Sequence, residues 1–112
     1  FFLDFHQDLY GVSFSDGAPV WAETTDGLPH VTGDVWSDAY LISPAVNRAI
    51  AHFWANDSML GQGLQDRFAG MAAHAAGYFR GISGLLGYDL WNEPYPGPEG
   101  GCRPERSYSA SA

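Results

Sequence analysis

Two apolar runs bracket two stretches of helical periodicity: "FFLDFHQDLY" opens the chain and "LLGYDLW" fills residues 85–91. The order strand, helices, strand admits few folds. Strands joined through helices pair in parallel, since an antiparallel return needs only a short turn, and the crossover is expected to be right-handed. The expected architecture is therefore α/β, with one βαβ crossover of two parallel strands and two helices. Parallel sheets are covered on both faces, and two helices cannot cover both. The chain is thus expected to be a piece of a larger α/β protein. Strand character that starts at Phe1, with no cap or turn before it, leads to the same expectation of a cut N-terminus.

Each run carries polar groups in a pattern. Phe1, Leu3 and Phe5 alternate with Asp4, His6 and Asp8, which places the three polar residues on one strand face. The second run ends in Asn92-Glu93 and stops against Pro94. Pro94 cannot donate to a ladder and biases Glu93 toward an extended backbone. A carboxylate at the mouth of a buried strand is costly unless something uses it. In parallel α/β architectures the carboxyl ends of the strands line the active site, so "DFHQD" and "NEP" are expected to meet at one rim. By alternation Glu93 shares a face with Asp89 and Trp91. The bland alternative is that Glu93 caps a helix or pairs with an Arg.

Between the strands, residues 11–42 read as a long loop with turn chemistry in "SDGAP" and "TDGLP", and a loop of that length is often functional. Ser43 and Pro44 give the start of a helix as N-cap and first residue, with Val46, Ala49, Ile50, Phe53 and Trp54 at helical spacing. "NDSMLGQG" breaks it. A second helix is expected from about Leu64 to Arg80, with Leu64, Phe68, Met71, Ala72, Ala75 and Phe79 as its stripe.

The 112 residues have the length of one modest domain. Residues 1–100 are expected to belong to one domain, and 101–112, low in apolar residues, to form a disordered tail. Thirteen acidic residues against five basic ones, all Arg, leave a formal charge of −8. That balance argues against a nucleic-acid or anionic-membrane surface, which would want a basic patch. Cys102 is the one cysteine, so neither an internal disulfide nor a cysteine-built zinc site can form within the chain. No apolar run approaches 18 residues, so no membrane-spanning helix is expected. The first residues carry no signal-peptide pattern.

Other groups carry weaker signals. Asp4, His6 and Asp8 could ligate a metal, but hydroxyl binding or a hydrogen-bonded strand end accounts for them better, and no metal or cofactor is expected. Trp21, Trp36 and Trp91 are either sugar-stacking platforms or packing residues, with Trp91 favoured for a site because it adjoins Asn92. His74 reads as a packing or surface residue, and His30 and His52 carry no constellation. Asn56-Asp57-Ser58 matches a glycosylation acceptor, a triplet common by chance.

Four motifs in order, "LDFHQDLYG", "DGAPVWAETTDGLP", "SPAVNRAIAHFW" and "GYDLWNEPYPG", resemble glycoside hydrolase family 5, in its endoglycoceramidase-like branch. The resemblance covers nearly everything up to about residue 100. It implies a (β/α)8 TIM barrel, of which this piece is similar to the third strand through the fourth. It implies Glu93 as general acid/base, Asn92 on the sugar 2-hydroxyl, and His6 and Asp8 on hydroxyls of the sugar beside the scissile bond. A retaining glycosidase needs a second carboxylate about 5 Å from the first. In this family that nucleophile ends the seventh strand, outside these residues. The parent is then expected to be a secreted or extracellular hydrolase acting on a glycolipid such as a glycosylceramide, and this piece alone to be inactive. The alternatives are another β-glycosidase, acting on a β-glucan or glucoside, or a noncatalytic sugar-binding or inert remnant.

Overall fold

In chain order the elements are β1 (Leu3–Asp4), two 3-10 turns (Val20–Ala22 and Trp36–Asp38), α1 (Ala39–Ile42), α2 (Pro44–Trp54), β2 (Ser58–Met59), β3 (Gln62–Gly63), α3 (Leu64–Tyr78) and β4 (Tyr88–Asp89). This structure, a computed structural model, describes residues 1–97; the expected tail and Cys102 lie outside the described residues.

The terminal strands pair in parallel, as expected, with Leu3 opposite Tyr88 and Asp4 opposite Asp89. The ladder is shorter than the apolar runs that feed it. Beyond the paired residues it is extended by Leu86 N–H donating to the Phe1 carbonyl at 2.8 Å and Phe5 N–H donating to that of Asp89 at 3.0 Å. Phe1, Phe2, Leu86 and Leu90 remain more than half exposed, because a two-stranded parallel sheet covers neither of its faces.

Helix α2 begins where its signals place it. The Ser43 hydroxyl accepts from Val46 N–H, Pro44 takes the first turn, and Ser43 is fully buried. One face of the helix, Ala45, Val46, Ala49, Ile50 and Phe53, forms the centre of the core with Leu9, Tyr10 and Leu64. Full burial of a Val, Ile or Phe contributes roughly 1.5–3 kcal/mol each, so this face is the main anchor of the structure. Trp54, expected on that stripe, is instead 43% exposed, and its ring lies on Trp91.

Three segments differ from the expected pattern. The segment 11–42 holds two 3-10 turns and α1, so it is an organised excursion. Its Pro29 carbonyl accepts from Ala45 N–H at the head of α2. "NDSMLGQG" is a hairpin, with Ser58 opposite Gly63 and Met59 opposite Gln62. Its two turn residues, Leu60 and Gly61, both have positive φ, 53° and 82°, as a tight two-residue turn requires. Helix α3 ends at Tyr78 rather than Arg80, and of its stripe only Leu64 is buried. Phe68, Ala72, Ala75 and Phe79 are half-covered, while Met71 is exposed.

Candidate active site

Asn92 and Glu93 follow β4 at its carboxyl end, beside the segment that follows β1. One residue makes that junction. The Gln7 side chain, 6% exposed, donates through Nε2 to the Asn92 carbonyl at 2.7 Å and the Glu93 carbonyl at 3.3 Å. In return, Asn92 Nδ2 donates to the Gln7 carbonyl at 3.2 Å. Gln7 Oε1 accepts from Tyr10 N–H at 2.8 Å. The Tyr40 hydroxyl lies 3.3 Å from Gln7 Nε2 and 3.4 Å from Oε1, and it accepts from Leu9 N–H at 2.9 Å. Every polar atom of the buried amide thus has a partner, as burial demands.

The backbone around this hub is strained. Glu93 has φ +42°, so the extended conformation expected before Pro94 is not found. A left-handed residue other than glycine costs of order 1–3 kcal/mol and persists only where its surroundings over-determine it. Here Gln7 gathers two successive carbonyls onto one amide group. Leu9 and Tyr10, both buried, also have positive φ, 58° and 80°, and their N–H groups meet Tyr40 and Gln7. Gly17 seats against the same turn: a Cβ there would lie 2.7 Å from both the Gln7 Cβ and the Tyr10 carbonyl oxygen.

On the other face of the strand, His6 bridges two carboxylates. Its Nδ1 lies 3.0 Å from Asp4 Oδ2 and its Nε2 3.4 Å from Asp8 Oδ2. The hydrogen bond to Asp4 raises the His6 pKa most; loss of hydration opposes it and Asp8 adds to the rise. The grouping of Asp4, His6 and Asp8 inferred from alternation is present. Ligand atoms of His6, Asp8 and Asp16 fall within 4.8 Å of one another, a spacing that would suit a cation. The imidazole bridge between Asp4 and Asp8, and the Asp16 carboxylate accepting from Asp8 N–H at 2.7 Å, account for the cluster without one.

Trp91 does not follow the alternation. Its ring sits 4.4 Å from Phe53, 5.3 Å from Trp54 and 5.5 Å from Phe68 between centroids. Phe5, of opposite parity to Asp4, also meets Phe68. The chain leaves the ladder after Asp89, so the period of two no longer holds and Trp91 turns to the helices. Asp89, opposite Asp4 in the ladder, therefore does not share a face with Trp91. A cleft of about 650 Å³ lies along this side, lined by Phe5, Phe53, Phe68 and Trp91 with Trp21 and Arg67 across it; Asn92 and Glu93 are not among its walls. Its walls are mostly apolar, but Asp4 and His6 of the strand-end cluster also reach it, together with Gln7. The glutamate itself is exposed, and Asn92 is half-buried.

Sequence reasoning missed Gln7. Its one signal was position, a polar residue on the apolar parity of a strand. It also missed His52, whose Nδ1 lies 2.5 Å from Asp57 and Nε2 3.0 Å from Asp26, and His30, which meets the Ser43 hydroxyl at 2.9 Å.

The same backbone recurs in known enzymes. Endo-glycoceramidase II from Rhodococcus sp., in its complex with a cellobiose-like imidazole, superposes with a TM-score of 0.76 at 34% identity, over 86% of this chain and 23% of that one. The chain resembles endoglycoceramidases. A crystal structure of an endogalactoceramidase matches with a TM-score of 0.73 at 33% identity, over 87% of this chain and 24% of that one. An endoglycoceramidase of Cyanea nozakii is 29% identical over 118 residues, 85% of this chain and 22% of the relative. No family model matches the chain. The motif-level resemblance to the endoglycoceramidase branch is borne out, and the chain spans about a quarter of the length of these relatives. The Rhodococcus enzyme has also been solved with ganglioside GM3 and as a lactosyl-enzyme intermediate.

Proposed function

We propose that this chain is part of a (β/α)8-barrel glycosidase that hydrolyses the O-glycosidic bond of a glycolipid, a glycosylceramide or related lipid, with retention. The observation that carries the reading is the seating of Asn92-Glu93 at the carboxyl end of a parallel strand pair, in a chain that resembles endoglycoceramidases at 32–35% identity to the Rhodococcus structures. Glu93 then protonates the leaving oxygen and afterwards activates water. Asn92 holds the sugar 2-hydroxyl. His6 and Asp8 bind hydroxyls of the sugar beside the scissile bond, through an imidazole already fixed between two carboxylates. The nucleophilic carboxylate comes from outside these residues, about 5 Å from Glu93 as retention requires. No cofactor takes part. Among the described residues no helix is long and apolar enough to cross a membrane.

The test is Glu93→Ala in the full-length protein. Loss of general acid catalysis lowers turnover of glycolipid by ~10²–10⁴-fold. Glycosylation by an activated aryl glycoside survives better, since its leaving group departs without a proton. Azide then restores part of the turnover by attacking the glycosyl-enzyme without a base. Equal losses on both substrates, with no azide rescue, would remove Glu93 from the mechanism.

A further inference from the structure

We propose that Gln7 is a positioning residue for proton transfer by Glu93, which rests on the acid/base reading of that glutamate. Gln7 sits between two residues assigned to the sugar, His6 and Asp8, yet points the other way into the core and carries no role in that assignment. Its contacts fall on the one dipeptide that matters. Nε2 holds the carbonyls of Asn92 and Glu93, and its own carbonyl receives the Asn92 amide. The Glu93 side chain leaves a backbone fixed at φ +42°, so the direction of its carboxyl is set by whatever holds that φ. Release of the two carbonyls lets Glu93 relax toward the extended backbone that Pro94 favours, which swings the Cα–Cβ bond.

The residue type follows from the chemistry. Two carbonyls need donors, while Tyr10 N–H needs an acceptor, and one planar amide supplies both in fixed geometry. A carboxylate of the same shape offers no donor and sets negative oxygens against two carbonyl oxygens. An aliphatic side chain fills the volume and satisfies none of the three groups. Tyr40 is the outer brace, because its hydroxyl touches both ends of the amide and also fixes Leu9 N–H.

A positioning role differs from a structural one in which reaction it affects. A displacement of about 1 Å in a reacting group costs on the order of 10²-fold, and only where that group is needed. The experiment uses the full-length protein with two β-lactosides, octyl lactoside as a poor leaving group and 2,4-dinitrophenyl lactoside as a good one. Gln7→Leu and Gln7→Glu should lower kcat on octyl lactoside by roughly 10²-fold, with the first-turnover burst on the dinitrophenyl substrate reduced less than about fivefold and KM nearly unchanged. Tyr40→Phe should give the same selective loss at roughly 3–10-fold, and combined with Gln7→Leu it should add less than its own effect, as coupled neighbours do. Should the Gln7 variants fail to fold, the selective loss in Tyr40→Phe decides alone. Losses equal on both lactosides, or a lower Tm with unchanged activity per folded molecule, overturn the proposal. Glu93→Gln separates the two readings: if it leaves octyl lactoside hydrolysis intact, the acid/base assignment fails. If it abolishes that hydrolysis while the Gln7 and Tyr40 variants show no selectivity, only the positioning role fails.

Discussion

The indole of Trp54 lies flat on that of Trp91, with 5.3 Å between ring centroids and 9° between planes. Phe53 meets the same Trp91 ring edge-on at 4.4 Å. These contacts join the end of α2 to the segment leading into Asn92-Glu93, and Trp54 Nε1 adds a hydrogen bond to the Tyr95 carbonyl at 2.9 Å beyond it. Trp91→Ala in the full-length protein should lower unfolding free energy by about 3 kcal/mol, the lower end for an aromatic truncated in a core, as measured by urea denaturation. Unchanged stability together with a raised KM for a lactoside would instead put the ring on the sugar.

His52 ties the long excursion to the end of α2 through Asp26 on one side and Asp57 on the other, with Arg48 Nε 3.4 Å from the same Asp26 oxygen. Burial pulls its pKa down, but the hydrogen bonds to Asp57 and then Asp26 outweigh that and leave it raised above 6.5. A raised folded-state pKa means the contribution is fully present below about 6.5 and fades as pH climbs through the folded value. The stability difference between wild type and His52→Gln should therefore be largest in mildly acidic buffer and shrink toward alkaline pH. Denaturant titrations at several pH values check this, and a difference that grows with pH would contradict it.

Asn56 does the work of a helix cap from a distance. Gly63, which precedes α3, has no side chain to cap with. The Asn56 Oδ1 accepts from Gln65 N–H at 2.9 Å, and its Nδ2 donates to Asp66 at 3.2 Å. Asn56→Ala should lower stability by about 1 kcal/mol, as other lost caps do. Gly63→Ala should act in the same direction, because a Cβ there would meet the Asn56 and Asp66 side chains. Thermal melts of both variants measure it. The amide is also engaged with its own fold, so occupancy of Asn56 by a glycan would disrupt the cap.

Gly17 has φ +116°, and a Cβ would run into Gln7 and the Tyr10 carbonyl. Gly17→Ala should destabilise by more than about 1 kcal/mol, since alanine is strained at that φ. It should also lower activity on octyl lactoside more than on the dinitrophenyl substrate, as Gln7 is displaced. Stability loss with no change in that ratio would limit Gly17 to the fold.

Local chemistry made much of the chain legible. Ser43-Pro44 starts α2 as read, and the periodicity of Val46, Ala49, Ile50 and Phe53 marks the face that is buried. The alternation of Asp4, His6 and Asp8 gives the bridge that His6 makes, because period-two geometry is set by the backbone itself. The hairpin turn at Leu60-Gly61 escaped notice, since a leucine at positive φ is not what local propensity favours.

What tertiary structure alone decided lies where distant segments meet. Trp91 was read by alternation, but that rule holds only while the ladder does, and the ladder ends at Asp89. Glu93 was read as extended because of Pro94, but the Gln7 amide, 86 residues away in sequence, holds it at positive φ. By itself the sequence determined the terminal strands, α2 and α3, their order, the parallel pairing and the residue types at the strand ends, because these follow from nearest neighbours and short periods. The conformation of Asn92-Glu93 and the side taken by Trp91 were settled by hydrogen bonds and ring contacts between segments that no local pattern connects.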